Sequence, residues 1–276
     1  MPPRVAICLT SHNRVDCARI NQEIIKLNFT APFYLAHATS GPERAPYLED
    51  AFAWCEPRPL HAGAVHLLQR SFALARAGAA PDFLVHLEGD TWVLDEKIIL
   101  RLVQRMADDP RLLLATSAWS SPSPRPLRRL ARFAWDRLQA PRSPAWRIRD
   151  FSTQFFVVRN DRALLDRIAA MRPDPAVHAE RQLFVAFTRA FPLDRVLRMT
   201  EREPVHPDHR QACPLLALYC HHWPAAGAGD PRRVRPDEPG KKEALLSYPS
   251  IRRGEHLQRL LAATSYDYYN PGSSRS

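Results

Sequence analysis

The chain has 276 residues, 45% of them hydrophobic and 25% charged, which suits one large domain or a domain with an appendage and supplies a substantial core. No apolar run approaches the ~18 residues of a membrane span. Met-Pro-Pro-Arg ahead of a short strand-like run makes a poor signal peptide, and five cysteines (Cys8, Cys17, Cys55, Cys213, Cys220) in no disulfide-framework spacing point to a reducing cytoplasm.

The formal charge of +10 comes almost entirely from arginine, since only four of the 39 basic residues are lysine. Arginine suits bidentate phosphate contacts. A basic surface fits nucleic acid, anionic lipid or a polyanionic substrate equally, so charge alone does not choose among them.

In chain order, Arg4 to Thr10 predicts a first buried strand, closed by the polar turn Ser11-His12-Asn13-Arg14. Asp16 is placed to cap a helix in which Ile20, Ile24 and Leu27 recur at helical spacing. Phe33 to Ala38 predicts a second strand, ended by Thr39-Ser40-Gly41-Pro42. A helix follows at about 62–77 with Val65, Leu68, Phe72 and Ala75 on one face. The apolar run Phe83 to Leu87 predicts another buried strand, delivering Glu88-Gly89-Asp90 to its C-terminal end. A helix near 95–107, for which Asp95 is a candidate cap, precedes a strand at Leu112 to Ala115. Strands alternating with helices predict an α/β fold built on a mostly parallel sheet, with ligands bound at the carboxyl ends of its strands.

From Ser120 to Arg149 five prolines bracket an Arg-rich stretch, which predicts a basic insertion (120–149) holding one partly amphipathic helix. Phe151 to Val158 returns to strand character, followed by helices at Asp161 to Ala170 and Ala176 to Thr188. Residues 1–225 are expected to form the main domain, and 226–276 a linker, a helix at about 251–263 and a loose tail.

Two acids separated by one small residue can face the same divalent ion, and hard cations such as Mg2+ and Mn2+ bridge carboxylates to substrate phosphates. The alternative is that Glu88 and Asp90 are turn residues only. No glycine fingerprint follows the first strand and no Gly-Lys-Ser/Thr loop is present, which speaks against a dinucleotide Rossmann site and a P-loop. What stands there instead is Thr10-Ser11-His12-Asn13-Arg14, then His61-Ala62-Gly63 opening a helix that carries Gln69-Arg70-Ser71, then Glu88-Gly89-Asp90.

That order resembles the GT-A glycosyltransferases, in particular the family-2-like group, over about residues 4–105 and more loosely to about 223. The departures are Glu88 where the metal motif has its first Asp, and Gln69-Arg70-Ser71 where Arg-Asn is usual. The resemblance implies a GT-A fold, a Rossmann-like mostly parallel sheet flanked by helices, and says nothing about the small C-terminal helical appendage expected at 226–276. It also implies a nucleotide-sugar donor, a carbohydrate or lipid-linked acceptor, and a divalent metal (Mn2+ or Mg2+). By it, Thr10, His12, Asn13 and Arg14 line the nucleotide pocket, Gly63 and Arg70 lie near the diphosphate, Asp90 ligates the metal and Glu88 sits near the metal or the sugar. It further implies a late histidine ligand, for which His221 and His222 are the candidates.

Glu180, near the start of the helix that follows His178, is a candidate base for the attacking hydroxyl, and Asp150 a second. The alternative for Glu180 is a solvated residue favoured by a helix N-terminus. A rival zinc site could draw on His206, His209, Cys213, Cys220 and His221, whose spacing matches no standard zinc module. The Arg-rich insertion could grip an anionic acceptor, rest on acidic headgroups at the inner face of the membrane, or form a loop over the site. Two other readings stand beside the glycosyltransferase. One is another metal-dependent nucleotide enzyme, a nucleotidyltransferase or phosphohydrolase. The other is a non-enzymatic basic binding module, although no specific nucleic-acid motif is found.

Overall fold

The computed structural model describes residues 2–12, 15–41, 44–89, 91–93, 96–116, 151–190, 195–198 and 218–219. Seven strands form one sheet in the order β3-β2-β1-β4-β7-β6-β8: β1 (Val5–Ser11), β2 (Tyr34–Thr39), β3 (Ala51–Trp54), β4 (Phe83–Glu88), β6 (Leu114–Thr116), β7 (Phe155–Arg159) and β8 (Val196–Arg198). β1 pairs in parallel with β2 and β4, β2 with β3, and β6 with β8, while β7 runs antiparallel between β4 and β6. The sheet is therefore mixed but mostly parallel. A second ladder joins β5 (Thr91–Trp92) to β9 (Leu218–Tyr219).

Both faces of the sheet are covered, which is why the central strands read as unbroken apolar runs rather than alternating ones. Val5, Ile7, Leu9, Val85 and Leu87 pack on one face with Ile99, Leu102 and Met106 of helix α3 (Lys97–Asp108), and with Ala18 of α1 (Val15–Glu23). Ala6, Cys8, Leu84, Phe156 and Val158 pack on the other face. There they meet Leu68 and Phe72 of α2 (Leu60–Ala79), Leu165 of α4 (Arg162–Ala169) and Phe187 of α5 (Ala179–Ala190). The result is the expected α/β architecture, three layers deep.

The structure differs from the sequence expectations in several places. The first helix begins at Val15, so Asp16 lies inside its first turn rather than ahead of it, and the helix ends in a π-helical turn, Ile24–Asn28. α3 begins at Lys97, not at 95. Glu96 precedes it without capping it, because its carboxylate is taken elsewhere: it accepts from the Thr30 and Ala31 amides at 2.9 and 3.0 Å and from the Thr30 hydroxyl at 2.6 Å. β3 and β8 had no counterpart in the sequence reading. The insertion at 120–149 and the appendage at 226–276 lie outside the described residues, as does Asp95. Among the described residues no helix is long and apolar enough to cross a membrane.

Candidate functional site

The carboxyl ends of β1, β2 and β4 meet the N-terminus of α2 around a cavity of about 420 Å³, bordered by Thr10, Ser11, His12, Ser40, Arg58, Leu60, Gly63, Ala64, Leu67, Glu88 and Gly89. Each strand end arrives there by register: Thr10 lies opposite Ala38 on one side and Glu88 on the other. Successive strand side chains alternate between faces, so Thr10 and Glu88 fall on the α2 face that holds Cys8, Leu84 and His86. Four residues singled out in the sequence, Thr10, His12, Gly63 and Glu88, thus share one cavity although they come from three separate stretches.

Two glycines make this closeness possible. A Cβ added at Gly89 would stand 3.0 Å from the Ser11 Cβ and 3.2 Å from the Thr10 carbonyl oxygen, and the Gly89 amide donates to that carbonyl at 2.7 Å. Close approach of the acidic turn to β1 therefore calls for glycine at 89. A Cβ at Gly63 would meet the Arg58 carbonyl oxygen at 2.8 Å, so glycine lets the first turn of α2 close on the segment before it. At that point Leu60 holds φ 46°, a left-handed conformation costly for a bulky side chain, and it is 79% exposed at the cavity mouth.

His12 Nδ1 lies 2.8 Å from Ser40 Oγ, tying the first-strand turn to the end of β2. Glu88 is half-buried, and its Oε1 accepts from the Thr153 hydroxyl at 2.7 Å. The Thr153 amide in turn donates to Glu180 Oε1 at 3.1 Å. One threonine thus bridges the carboxylate of the acidic turn and the carboxylate proposed for the acceptor side. Glu180 is buried, with its side chain 11% exposed, so the solvated reading of this residue does not hold. His178, just before α5, accepts the Glu180 amide on Nδ1 at 3.3 Å and lies against His61 with ring centroids 4.4 Å apart. Burial, and then the neighbouring His178, lower the pKa of His61.

Arg70 does not border the cavity. It lies two turns further along α2, exposed, where its guanidinium hydrogen-bonds Cys55; burial still raises the Cys55 thiol above its ordinary value. Asn13, Arg14, Asp90, Asp150, His221 and His222 lie outside the described residues, as do the rival zinc ligands His206, His209, Cys213 and Cys220. Among the described residues no group of three or more His, Cys, Asp or Glu side chains comes together as a metal site.

On the α1 face Ser11 Oγ lies 2.9 Å from His37 Nε2, and His37 Nδ1 lies 3.3 Å from Glu49 Oε1. The order is that of a hydrolytic triad, but the surroundings are not. Ser11 Oγ also bonds Thr39 Oγ1 at 3.0 Å, Gln22 Nε2 reaches His37 Nδ1 at 3.2 Å, and the adjoining cavity is only about 10 Å³. Ser11 is itself part of the cavity wall, but its hydroxyl is turned to Thr39 and His37, neither of which borders the cavity, so the network braces that wall from within the protein.

Sequence reasoning missed Ser40, Arg58 and Thr153 as site residues. Ser40 stood in a recognised strand-end turn, which is itself a usable signal. Thr153 carried none, because its importance lies in reaching two residues 65 and 27 positions away.

No protein-family model matches the chain, and no curated protein matches it in sequence. Among solved structures, it is similar to the mannosyltransferase PcManGT from Pyrobaculum calidifontis in complex with GDP-Man and Mn2+, at 13% identity over 73% of this chain and 59% of that one, with a TM-score of 0.43. It is also similar to the galactosyltransferase LgtC in complex with donor and acceptor sugar analogs, at 10% identity over 95% and 96% of the two chains, with a TM-score of 0.42. A third similarity is to a CMP:2-keto-3-deoxy-manno-octonic acid synthetase complexed with CTP, at 13% identity over 68% and 86%, with a TM-score of 0.38. At this level of likeness the comparisons carry no residue-by-residue correspondence.

Proposed function

We propose that this chain is a metal-dependent glycosyltransferase of GT-A type, moving a sugar from a nucleoside-diphosphate donor to a carbohydrate or lipid-linked hydroxyl. The observation that carries the reading is the convergence of Thr10, His12, Gly63 and Glu88 on one cavity of about 420 Å³ at the carboxyl edge of the sheet. That is the ligand-binding edge of an α/β fold, and the volume falls within the usual range for small-molecule and cofactor sites.

In this reading His12 and Ser40 hold the nucleoside, while Arg58 and the first turn of α2 face the diphosphate. The donor set offered to a metal is carboxylate oxygen from Glu88 and Asp90 with a late imidazole, which suits Mn2+ or Mg2+ better than a thiolate-rich zinc set. β9 ends at Tyr219, whose partner in the ladder, Thr91, directly follows the acidic turn. A bound metal would neutralise charge building on the leaving diphosphate. Glu180, held beside Glu88 by Thr153, would take the proton of the attacking hydroxyl. The arginine-rich stretch at 120–149 would supply charge toward an anionic acceptor or membrane headgroups.

The test is thermal stabilisation by Mn2+ with UDP or GDP, in wild type and in Asp90→Ala. A metal-dependent shift that the substitution abolishes supports the donor site, and a panel of nucleotide sugars scored for metal-dependent hydrolysis then identifies the donor. A shift with DNA alone, and none with either nucleotide, overturns the reading.

A further inference from the structure

The acidic turn is gripped by a residue that belongs to neither its strand nor its cavity. Asn21, fully buried in the last turn of α1, donates from its one Nδ2 to the carbonyl oxygens of both Glu88 (3.3 Å) and Thr91 (2.8 Å). These are the residues on either side of Gly89-Asp90. A single amide group so placed fixes the distance between the two ends of the turn. The remaining restraints come from other elements: the Gly89 amide donates to Thr10, the Glu88 amide to the Gln154 carbonyl at 3.1 Å, and Thr153 to the Glu88 carboxylate.

Asn21 is not placed for stability alone. Among the described residues its own Oδ1 has no partner, and neither has the hydroxyl of Thr91, itself fully buried. Leaving a buried acceptor unpaired is unfavourable, whereas an apolar side chain of the same shape in its place can be nearly neutral. The useful product of the asparagine is therefore the pair of bonds that its amide donates.

We infer that Asn21 is a positioning residue for the acidic turn, holding the strand end that presents Glu88 in the geometry that metal and diphosphate require. The inference rests on the glycosyltransferase reading of the same site. It makes α1 a supporting layer of the donor site, acting through backbone rather than through contact with the substrate. Groups that orient metal-binding residues from behind commonly change metal affinity by ~10- to 100-fold when removed.

The experiment measures Mn2+ affinity in the presence of UDP or GDP, by the electron paramagnetic resonance signal of free Mn2+, alongside the melting temperature without ligand. It is run on wild type, Asn21→Leu and Asn21→Asp. Leucine keeps the volume and removes the unpaired oxygen; aspartate keeps the shape and removes both donated bonds. The expected result is a loss of affinity of about tenfold or more in the folded variants, larger than any change in melting temperature accounts for. Unchanged affinity in a folded variant overturns the role of Asn21 and leaves the glycosyltransferase reading standing. If neither variant folds, the role is structural and the inference falls. Wild type that binds Mn2+ with neither nucleotide overturns the glycosyltransferase reading and this inference together.

Discussion

Beyond the ends of β1 and β2 the two faces of the sheet carry similar polar chemistry with different outcomes. On the α1 face, Ser11, His37 and Thr39 meet Gln22 and Glu49 in a closed network that leaves about 10 Å³ of free space. On the α2 face, Thr10, Ser40 and Glu88 border about 420 Å³. Alternation along a strand puts neighbouring side chains on opposite faces: Thr10 and Ser11 both border the cavity, but the Ser11 hydroxyl is drawn into the closed network by His37 and Thr39. α1 brings Gln22 down onto the first face. α2 carries Gly63 in its first turn and withholds side-chain volume from the second. Burial of a polar group demands a partner, and the closed face finds its partners within the protein. The open face also pairs His12 with Ser40 and Glu88 with Thr153, but holds them around free volume that a ligand could fill.

The largest effect expected on the open face comes from Glu180→Gln. If Glu180 accepts the acceptor's proton, kcat/KM for transfer falls by ~10²- to 10⁴-fold, while Mn2+–nucleotide affinity stays as in wild type. Initial rates and calorimetric binding separate the two quantities. Equal rates in the variant would remove Glu180 from the chemistry and return it to the helix N-terminus as a structural residue.

His37→Leu tests the closed face and should do the reverse. It strips Ser11 Oγ and Glu49 Oε1 of their shared ring in a site where the Glu49 side chain is 1% exposed. Ser11 keeps its bond to Thr39, but leaving the buried Glu49 Oε1 without its His37 partner costs about 3 kcal/mol here, read as a fall in unfolding free energy, with nucleotide affinity in the folded fraction little changed. The pH dependence has a definite sign. Burial pushes the Glu49 carboxyl up, but the His37 ring and the backbone amides of Glu49 and Tyr47 outweigh it and hold the pKa below its ordinary 4.5. A carboxylate so depressed contributes stability that is present above its unfolded-state value and is lost as pH falls through its folded value. Without the His37 ring the Glu49 carboxyl loses the largest of the contributions that depress it, so the stability that Glu49 forfeits on acidification should be smaller in the variant than in wild type.

How much of this contrast was legible in the sequence follows from what each feature depends on. The strands β1, β2 and β4 were readable because burial on both faces makes them continuous apolar runs. β3 was not: Ala51–Trp54 is half-buried at the sheet edge and only four residues long. β8, three residues long, offers no periodicity at all. Thr10, His12, Gly63 and Glu88 were singled out through the GT-A resemblance, and they lie at the strand ends and helix start that turn chemistry marks. Thr153 and Asn21 were unreadable for the opposite reason. Each is an ordinary polar residue whose partners are set by the packing of remote segments, in Asn21's case 67 and 70 positions away.

Gly63→Ala sharpens the account of why the open face is open. The added Cβ meets the Arg58 carbonyl at 2.8 Å, a backbone atom that cannot swing aside as a side-chain tip would. Crowding of this kind costs about 1–3 kcal/mol, while alanine gains ~1 kcal/mol over glycine within a helix. Stability should therefore change little. Arg58 and Leu60 must move, however, and nucleotide affinity should fall by about tenfold, as measured by titration calorimetry. Unchanged affinity would mean that the shape of the α2 entry does not define the pocket.

His86→Leu carries the smallest effect at neutral pH. His86 shares the α2 face with Glu88 but lies deeper, opposite Cys8 in β1, its ring 4.9 Å from Phe156. It contrasts with His37 on the other face. His37 is held at both nitrogens, whereas His86 Nδ1 is buried without a partner among the described residues. Burial lowers its pKa from the ordinary 6.5 to about 3, only partly opposed by a hydrogen bond with the Cys8 backbone. Between those two values the unfolded chain binds a proton that the folded chain refuses, so stability falls as pH drops from 6.5 toward 3 and is unaffected above that window. Leucine removes the proton site and the unpaired nitrogen together, so unfolding free energy at pH 7.5 should stay within about 1 kcal/mol of wild type. At pH 4.5 the variant should be the more stable protein, as read by urea denaturation. If the two proteins lose stability in parallel on acidification, the acid sensitivity of the fold lies with the partnered face, and Glu49 rather than His86 sets it.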